Sequence, residues 1–325
     1  MERWAELTTD GARRVVTFER EFRTDADDLW EAITDPGRAG RWLGSLTRDG
    51  DAVTLGFAGG STRSGRVLEC EEPHRLRVVL DPGTAKQSFL VATLEPTNAG
   101  TKLVMQQDGL PPLLAALFTA GWQHHLEQLD VVAGGSAAPT PMPELLAGYR
   151  EAEARAVAGW ITTTEEGALV ELERVIDSSP AEVWAALTEP DRLSAWWWPV
   201  REWPDDPSRS RALHLGDRFA LGDGNMPEPQ RFVVAQCDPE SELTLQWSLS
   251  DAELTFALSP APGGTLLRLR QSPMPDRFAA GKLRTGPDFA AGWHSIVDGL
   301  VGYLGGIPLP EGDVLWQAAY AAYSD

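Results

Sequence analysis

The sequence predicts an α+β fold built twice over: two tandem units, each a curved antiparallel sheet with two short helices and one long helix towards its C-terminal end. Three observations carry this: an internal repeat, the order of the elements within it, and an ordinary globular composition. The segment FEREFRTDADDLWEAITDPGRAGRWLG (18–44) lies over LERVIDSSPAEVWAALTEPDRLSAWWW (172–198) without a gap. Glu19/Glu173, Arg20/Arg174, Trp30/Trp184, Pro36/Pro190, Arg38/Arg192 and Trp42/Trp196 coincide. Farther on, Leu76, Thr101, Gln107 and Trp122 find Leu243, Thr265, Gln271 and Trp293 at a drifting offset, as insertions in hairpin loops produce. The flanks recur too: Trp4, Gly11 and Ala12 as Trp160, Gly167 and Ala168, and PMPELLAGYREA (141–152) as PLPEGDVLWQAA (308–319). A repeat of half the chain far exceeds the ~20–50 residues of a stacked solenoid unit, so each copy is large enough to fold as a domain. The expected boundaries are 1–157, with a tail helix over 143–156, and 158–325, with a tail helix over 311–323.

The second copy reads more clearly. ALVELERVI (168–176) alternates as a strand. Ser178-Ser179-Pro180, with Glu182 shortly after, is a helix start, and the helix over 180–188 places Val183, Trp184 and Leu187 on one face. Thr188-Glu189-Pro190 ends it, and a second short helix runs from Asp191 to about Trp197. The strand signals DRFAL, RFVVAQC, LTLQWSL and ELTFALSP follow, and the turn APGG leads into TLLRLRQ, a pattern that fits an antiparallel meander. In LTLQWSL, Leu243, Leu245, Trp247 and Leu249 share one face. The long helix spans 287–304, with Phe289, Trp293, Val297, Leu300 and Leu304 at helical spacing, and the first copy repeats it with Leu114, Phe118, Trp122, Leu126 and Leu129. A helix with so wide an apolar stripe must cover the apolar face of the sheet.

Composition narrows the function. The chain of 325 residues carries a net charge of −20, which argues against tracking nucleic-acid phosphates or adsorbing to an anionic membrane. No apolar run is long enough to span a bilayer and the N-terminus has no signal-peptide pattern, so a cytoplasmic location is expected. Cys70 and Cys237 fall at equivalent positions and read as two copies of one buried residue rather than as a disulfide.

The order of elements, together with P-x-E-V-W-x-A-L-T-x-P-x-x-L-x-x-W (180–196), L-S-P-x-x-G-G-T-x-L (258–267) and G-W-x-x-x-x-x-x-L (292–300), resembles the Hsp90-ATPase-activator-like branch of the START/SRPBCC (Bet v 1-like) superfamily. The resemblance covers nearly the whole chain, twice, with NAGT (98–101) standing in the first copy where the second has its Gly-Gly-Thr turn. It implies a helix-grip fold of about seven strands per unit, with a cavity between helix and sheet that often holds a hydrophobic small molecule. The co-chaperone domain that does most of the ATPase stimulation in the eukaryotic relatives has no counterpart here.

No catalytic motif emerges, and no cofactor or metal is expected. GFAGGSTRSG (56–65) lacks the ending of a phosphate loop and reads as a hairpin rim. His124 and His125 are adjacent, so on a helix they point apart, and His74 sits in an exposed turn. His294 follows Trp293 on the covering helix, where it faces either the cavity as an acid/base group or water. Gln107 and Gln271 share the phase of the apolar residues before them, so each is either an inward amide able to meet a ligand or the end of its strand at the sheet edge. Trp122 and Trp293 anchor the long helix, with one ring edge available to the cavity.

The candidate ligand-binding residues are therefore Trp197, Trp198, Trp203, Trp247, Phe256, Gln271, Trp293 and His294 in the second unit, with Gln107 and Trp122 in the first. Trp196 matches Trp42 and belongs to the shared scaffold, whereas Trp197, Trp198 and Trp203 have no aromatic counterparts and are expected at the mouth of the second unit's cavity. The aromatic load of that unit predicts that it holds the larger cavity and that the first is more filled. Binding of a hydrophobic or aromatic small molecule, chiefly in the second unit, is the leading reading. A polyketide-cyclase-like enzyme using the same cavity and a chaperone-linked interaction module presenting exposed aromatics are the alternatives.

Overall fold

Each unit begins by returning its first strand pair beside its last strand, and that return curls the sheet around a single helix. A computed structural model describes residues 5–57, 60–84, 86–156, 159–204, 211–223, 228–247, 252–279, 282–310 and 313–324. Trp4, Leu249 and the first residues of the tail helix expected over 311–323 lie outside these. The chain divides into two compact units, Met1–Ala156 and Val157–Asp325.

The first unit runs β1 (Ala5–Asp10), β2 (Arg13–Phe22), α1 (Ala26–Thr34), α2 (Pro36–Ala39), β3 (Gly44–Asp49), β4 (Ala52–Phe57), β5 (Thr62–Glu71), β6 (Arg75–Leu80), β7 (Ser88–Thr97), β8 (Gly100–Leu110), α3 (Pro112–Val132) and α4 (Met142–Ala156). The second runs β9 (Gly159–Thr164), β10 (Gly167–Ile176), α5 (Pro180–Thr188), α6 (Pro190–Ser194), β11 (Val200–Glu202), β12 (Arg218–Leu221), β13 (Gln230–Asp238), β14 (Glu242–Trp247), β15 (Ala252–Ala261), β16 (Gly264–Met274), a small hairpin β17 (Arg277–Ala279) and β18 (Lys282–Arg284), α7 (Gly286–Gly305) and α8 (Val314–Ser324). The main sheets are eight-stranded, in the orders β1-β2-β8-β7-β6-β5-β4-β3 and β11-β12-β13-β14-β15-β16-β10-β9. Eight strands per sheet fit the expected number of about seven.

Two of the register shifts that bend each sheet fall at matching places. Register shifts fall between Arg14 and Val16 and between Val67 and Glu69 in the first unit. Their counterparts fall between Ala168 and Val170 and between Val234 and Gln236. An extra residue on one strand of an antiparallel pair increases local twist and bends it. The strands alternate accordingly, and β10 buries every second residue from Ala168 to Ile176.

The short helices close one end of each sheet. Asp25 caps α1 by accepting from the Asp28 N–H at 2.8 Å, and Ser179 caps α5 by accepting from the Glu182 N–H at 3.3 Å. The shared tryptophans fasten the second short helix to the first: Trp42 Nε1 donates to the Ala32 carbonyl and Trp196 Nε1 to the Ala186 carbonyl, both at 2.9 Å. Buried Thr101 and Thr265 tie the last strand to the chain entering α1 and α5, donating to the Thr24 and Ser178 carbonyls at 2.8 and 2.7 Å. The cysteines are both free thiols, but Cys70 is exposed and Cys237 half-buried, so they are not two copies of a buried residue. Both sit near the end of a hairpin, β5–β6 and β13–β14, but Cys237 packs against the core of its unit and its thiol meets the Leu213 carbonyl at 3.4 Å.

Gly100 and Gly264 stand where β7 and β15 turn into the last strand, at φ of 149° and 142°. A Cβ there would lie 2.0 Å from the Phe22 carbonyl oxygen and 1.9 Å from that of Ile176. NAGT thus keeps the one glycine that the turn needs. Gly264→Ala is expected to destabilise the second unit by roughly 2 kcal/mol or more, measured by urea unfolding, because backbone must move to admit the methyl group.

Candidate functional site

The space between the inner face of each sheet and its long helix is treated oppositely by the two units. In the first, α3 and the strands β3 to β8 leave a cavity of about 90 Å³, measured as room for the centres of water-sized spheres. Its walls include Trp42, Leu43, Leu55, Val78, Ala92, Met105, Trp122 and Leu126. Thr34 and Arg48 are the polar side chains that reach it, and both are already engaged, Thr34 Oγ1 with the Trp30 carbonyl and Arg48 Nε with that of Gly50. On the same measure a single water needs about 10–15 Å³, so the space exceeds a packing defect.

In the second unit aromatic rings occupy the corresponding space. Trp197 stacks on Trp196 with ring centres 5.5 Å apart and meets Phe232, Phe256 and Trp293 at 5.6, 6.0 and 6.0 Å. Strand register gives the counterparts. Phe256 pairs with Leu243 as Ala92 pairs with Leu76, and Phe232 pairs with Trp247 as Gly65 pairs with Leu80. Trp197 follows the shared Trp196 as Leu43 follows Trp42. Three aromatics thus replace a leucine, an alanine and a glycine.

The larger cavity was expected in the second unit; among the described residues, a cavity between sheet and long helix is found in the first. Trp197 is not at a mouth but within the core, and its indole N–H, buried, has no hydrogen-bond partner among the described residues. Leaving that donor unmet costs ~1–3 kcal/mol, which the packing of the indole against its aromatic neighbours offsets. Phe256 and Trp247 belong to the same core, the latter donating to Gln230 Oε1 at 3.0 Å. Trp198 and Trp203 pack against that core half-buried, with Trp203 held by the Arg211 carbonyl at 3.1 Å.

Gln107 and Gln271 are inward and buried, not at a sheet edge. Each receives the indole N–H of its unit's helix tryptophan: Trp122 Nε1 donates to Gln107 Oε1 at 2.8 Å, and Trp293 Nε1 to Gln271 Oε1 at 2.5 Å. Their amides therefore fix the long helix to the last strand, and in the first unit this leaves the Trp122 ring as cavity wall.

His294 is buried, but against the tail helix rather than towards water or the sheet: Nδ1 meets the Tyr323 hydroxyl at 3.2 Å. Nε2 lies 3.7 Å from Asp298, which in turn accepts from Arg174 at 2.9 Å. Gln123, its counterpart in the first unit, receives the Tyr149 hydroxyl from α4 in the same way. Reading the sequence missed the residues that shape the cavity, Leu43 and Ala92 above all. The signal was there in the repeat, as small side chains facing large ones.

A sheet curved around one long helix, with a cavity in the helix's shadow, defines the helix-grip class. The chain belongs to the family of activator of Hsp90 ATPase homolog 1-like proteins, whose model matches it twice, over residues 23–134 and 177–305. Among solved structures it is similar to CalU16 from Micromonospora echinospora, at 24% identity and a TM-score of 0.39 over 48% of this chain and 96% of that one. It is also similar to DynU16, a protein of the dynemicin biosynthetic locus, at 17% identity and a TM-score of 0.37 over 95% and 97% of the two chains. A conserved protein from Enterococcus faecalis is matched at 18% identity and a TM-score of 0.41, over 47% and 92%. No curated protein matches. Among the described residues no helix is long and apolar enough to cross a membrane.

Burial pushes the Tyr323 phenol up to about 12, more than the nearby Arg174 guanidinium draws it down. An unfolded tyrosine ionises near ~10, so between about pH 10 and 12 the folded chain holds a proton that the unfolded chain has lost. Stability is expected to fall as pH rises through that window. Urea unfolding measured across it should show the slope, and Tyr323→Phe should flatten it.

Proposed function

We propose that the chain binds a small apolar molecule in the first unit, between the inner face of its sheet and α3. The observation that carries this is the paired contrast: one scaffold, used twice, is filled by aromatic side chains in one copy and left open in the other. Because the second copy shows that the space accepts Phe and Trp, its vacancy in the first is not imposed by the fold. The walls are aliphatic and aromatic with few polar groups, the usual character of a small-ligand site. Binding there would draw on the hydrophobic effect, at ~25 cal/mol per Å² of apolar surface removed from water.

The family match supports this reading at the level of the fold. The ligand's identity is not carried by it, and the residues named as site candidates in the second unit are here proposed to serve packing instead. Trp122 and Gln107 remain in the site, the first as a wall and the second as the group that holds it.

Toluene is a suitable neutral probe. Saturable binding with a negative heat-capacity change is expected by calorimetry, with shifts confined to methyl groups of the first unit by NMR. Ala92→Phe, which copies the residue found at this place in the second unit, should weaken toluene at least about tenfold without lowering the melting temperature. Undiminished binding to Ala92→Phe, or shifts centred on the second unit, would defeat the proposal.

A further inference from the structure

Beyond the apolar cavity, on the other side of the Trp122 ring, the first unit carries a second depression of different chemistry. It offers about 560 Å³ on the same measure, between the first half of α3 and the ends of β4 to β6. Its centre is Arg63, only 7% exposed. The guanidinium is fixed on three sides: Nε donates to Asp81 Oδ2 at 2.7 Å, and Nη2 to the Lys86 carbonyl and the Ser88 hydroxyl, each at 3.1 Å. Ser88 in turn receives Gln107 Nε2 at 2.8 Å, so the arginine is the end of the polar chain that begins at Trp122. Its face lies over the Phe118 ring at 4.6 Å. Nη1 makes no hydrogen bond among the described residues.

The repeat supplies an internal control. By strand register Gln230 stands where the first unit has Arg63 and Ala252 where it has Ser88, and Gln230 is satisfied by Trp247. The scaffold thus does not need a buried arginine at this place. Burying a guanidinium is costly, and one retained without structural need, locked in position with a nitrogen left over, is the arrangement of an anion-binding group.

The neighbours define the rest of the ligand. Arg63 and Lys86 set against Asp81 leave one positive charge at the depression, in a chain of net charge −20. His125 adds none: burial lowers its basicity and Nδ1 is engaged with the Trp42 carbonyl at 3.0 Å. His124 has both ring nitrogens occupied, by the Thr140 carbonyl and the Gln128 side chain. Around this single charge lie Phe57, Phe118, Leu114 and Leu117. One charge suits a monoanion, and the rings and leucines suit an apolar body.

We propose that this depression is a binding site for an aromatic or aliphatic monocarboxylic acid, whose carboxylate meets Arg63 Nη1 and Lys86 while its hydrocarbon part lies against Phe118 and the adjoining leucines. The site is distinct from the cavity proposed above and does not depend on it.

The full chain carrying Ala92→Phe, with the cavity filled, is titrated by calorimetry with 2-naphthoate and with its neutral analogue 2-naphthamide. At low salt the acid is expected to bind about tenfold more tightly or better, the measure of a charge-assisted hydrogen bond to a fixed guanidinium. Arg63→Gln, which reproduces Gln230, should abolish that preference, and Lys86→Gln, at an exposed position, should reduce it several-fold. Should Arg63→Gln fail to fold, Lys86→Gln and the loss of preference at high salt decide the matter. Equal binding of acid and amide, a preference that survives Arg63→Gln or ignores Lys86→Gln, or loss of naphthoate binding on Ala92→Phe would overturn the proposal. Failure of toluene to bind the unaltered chain bears only on the cavity.

Discussion

A sheet wrapped around one helix encloses more volume than aliphatic side chains of ordinary size can fill, and the rest of this structure follows from how that volume is managed. Protein interiors pack as densely as organic crystals, so enclosed space has to be met by larger side chains, by a guest, or by accepting lost contacts. The second unit meets it with Trp197, Phe232 and Phe256 around Trp293. The first unit, with Leu43, Gly65 and Ala92 at the same places, leaves it open. Gly65 could not be enlarged by itself, since a Cβ there would come 2.6 Å from the Val79 carbonyl oxygen.

What keeps the open unit from collapsing is a small set of buried polar ties. Trp122 is held by Gln107, Gln107 by Ser88, and Trp42 by the Ala32 carbonyl. Each bond contributes modestly on its own, about 0.5–1.5 kcal/mol, yet leaving one of these groups unmet would cost more. Their arrangement fixes the cavity walls without depending on what occupies the cavity. The tail helix is fastened from outside by a similar device, a tyrosine against the residue after the helix tryptophan: Tyr149 with Gln123, and Tyr323 with His294.

Much of this was legible in the sequence. The repeat, the order of elements, the phase that Gln107 and Gln271 share with the apolar residues before them and the scaffold role of Trp42 and Trp196 all follow from periodicity and alignment, which are local properties. The aromatic load of the second unit was legible as well, but not its sign. Alternation tells which side chains point inwards, whereas whether they line a space or fill it depends on which residues face one another across strands distant in sequence, as Ala92 faces Leu76 and Met105. His294 illustrates the same limit: its helix position was clear, but burial was decided by a tail helix that returns nearly thirty residues later to place Tyr323 against it. Arg63 lay unremarked in a glycine-rich stretch, because its significance rests on Asp81, Ser88 and Phe118, none of them nearby in the chain.

The crowding of tryptophans in the second unit has an optical consequence. Trp196, Trp197, Trp198, Trp247 and Trp293 form a connected set with neighbouring ring centres 5.5 to 6.1 Å apart. Rings so close exchange excitation energy and couple their transitions, so this cluster leaves an exciton contribution in the near-ultraviolet dichroism of the chain. In the first unit Trp42 and Trp122 stand on the cavity wall. A guest entering there would lie against Trp42 and Trp122, so its arrival would be written in the share of the signal that those two rings supply.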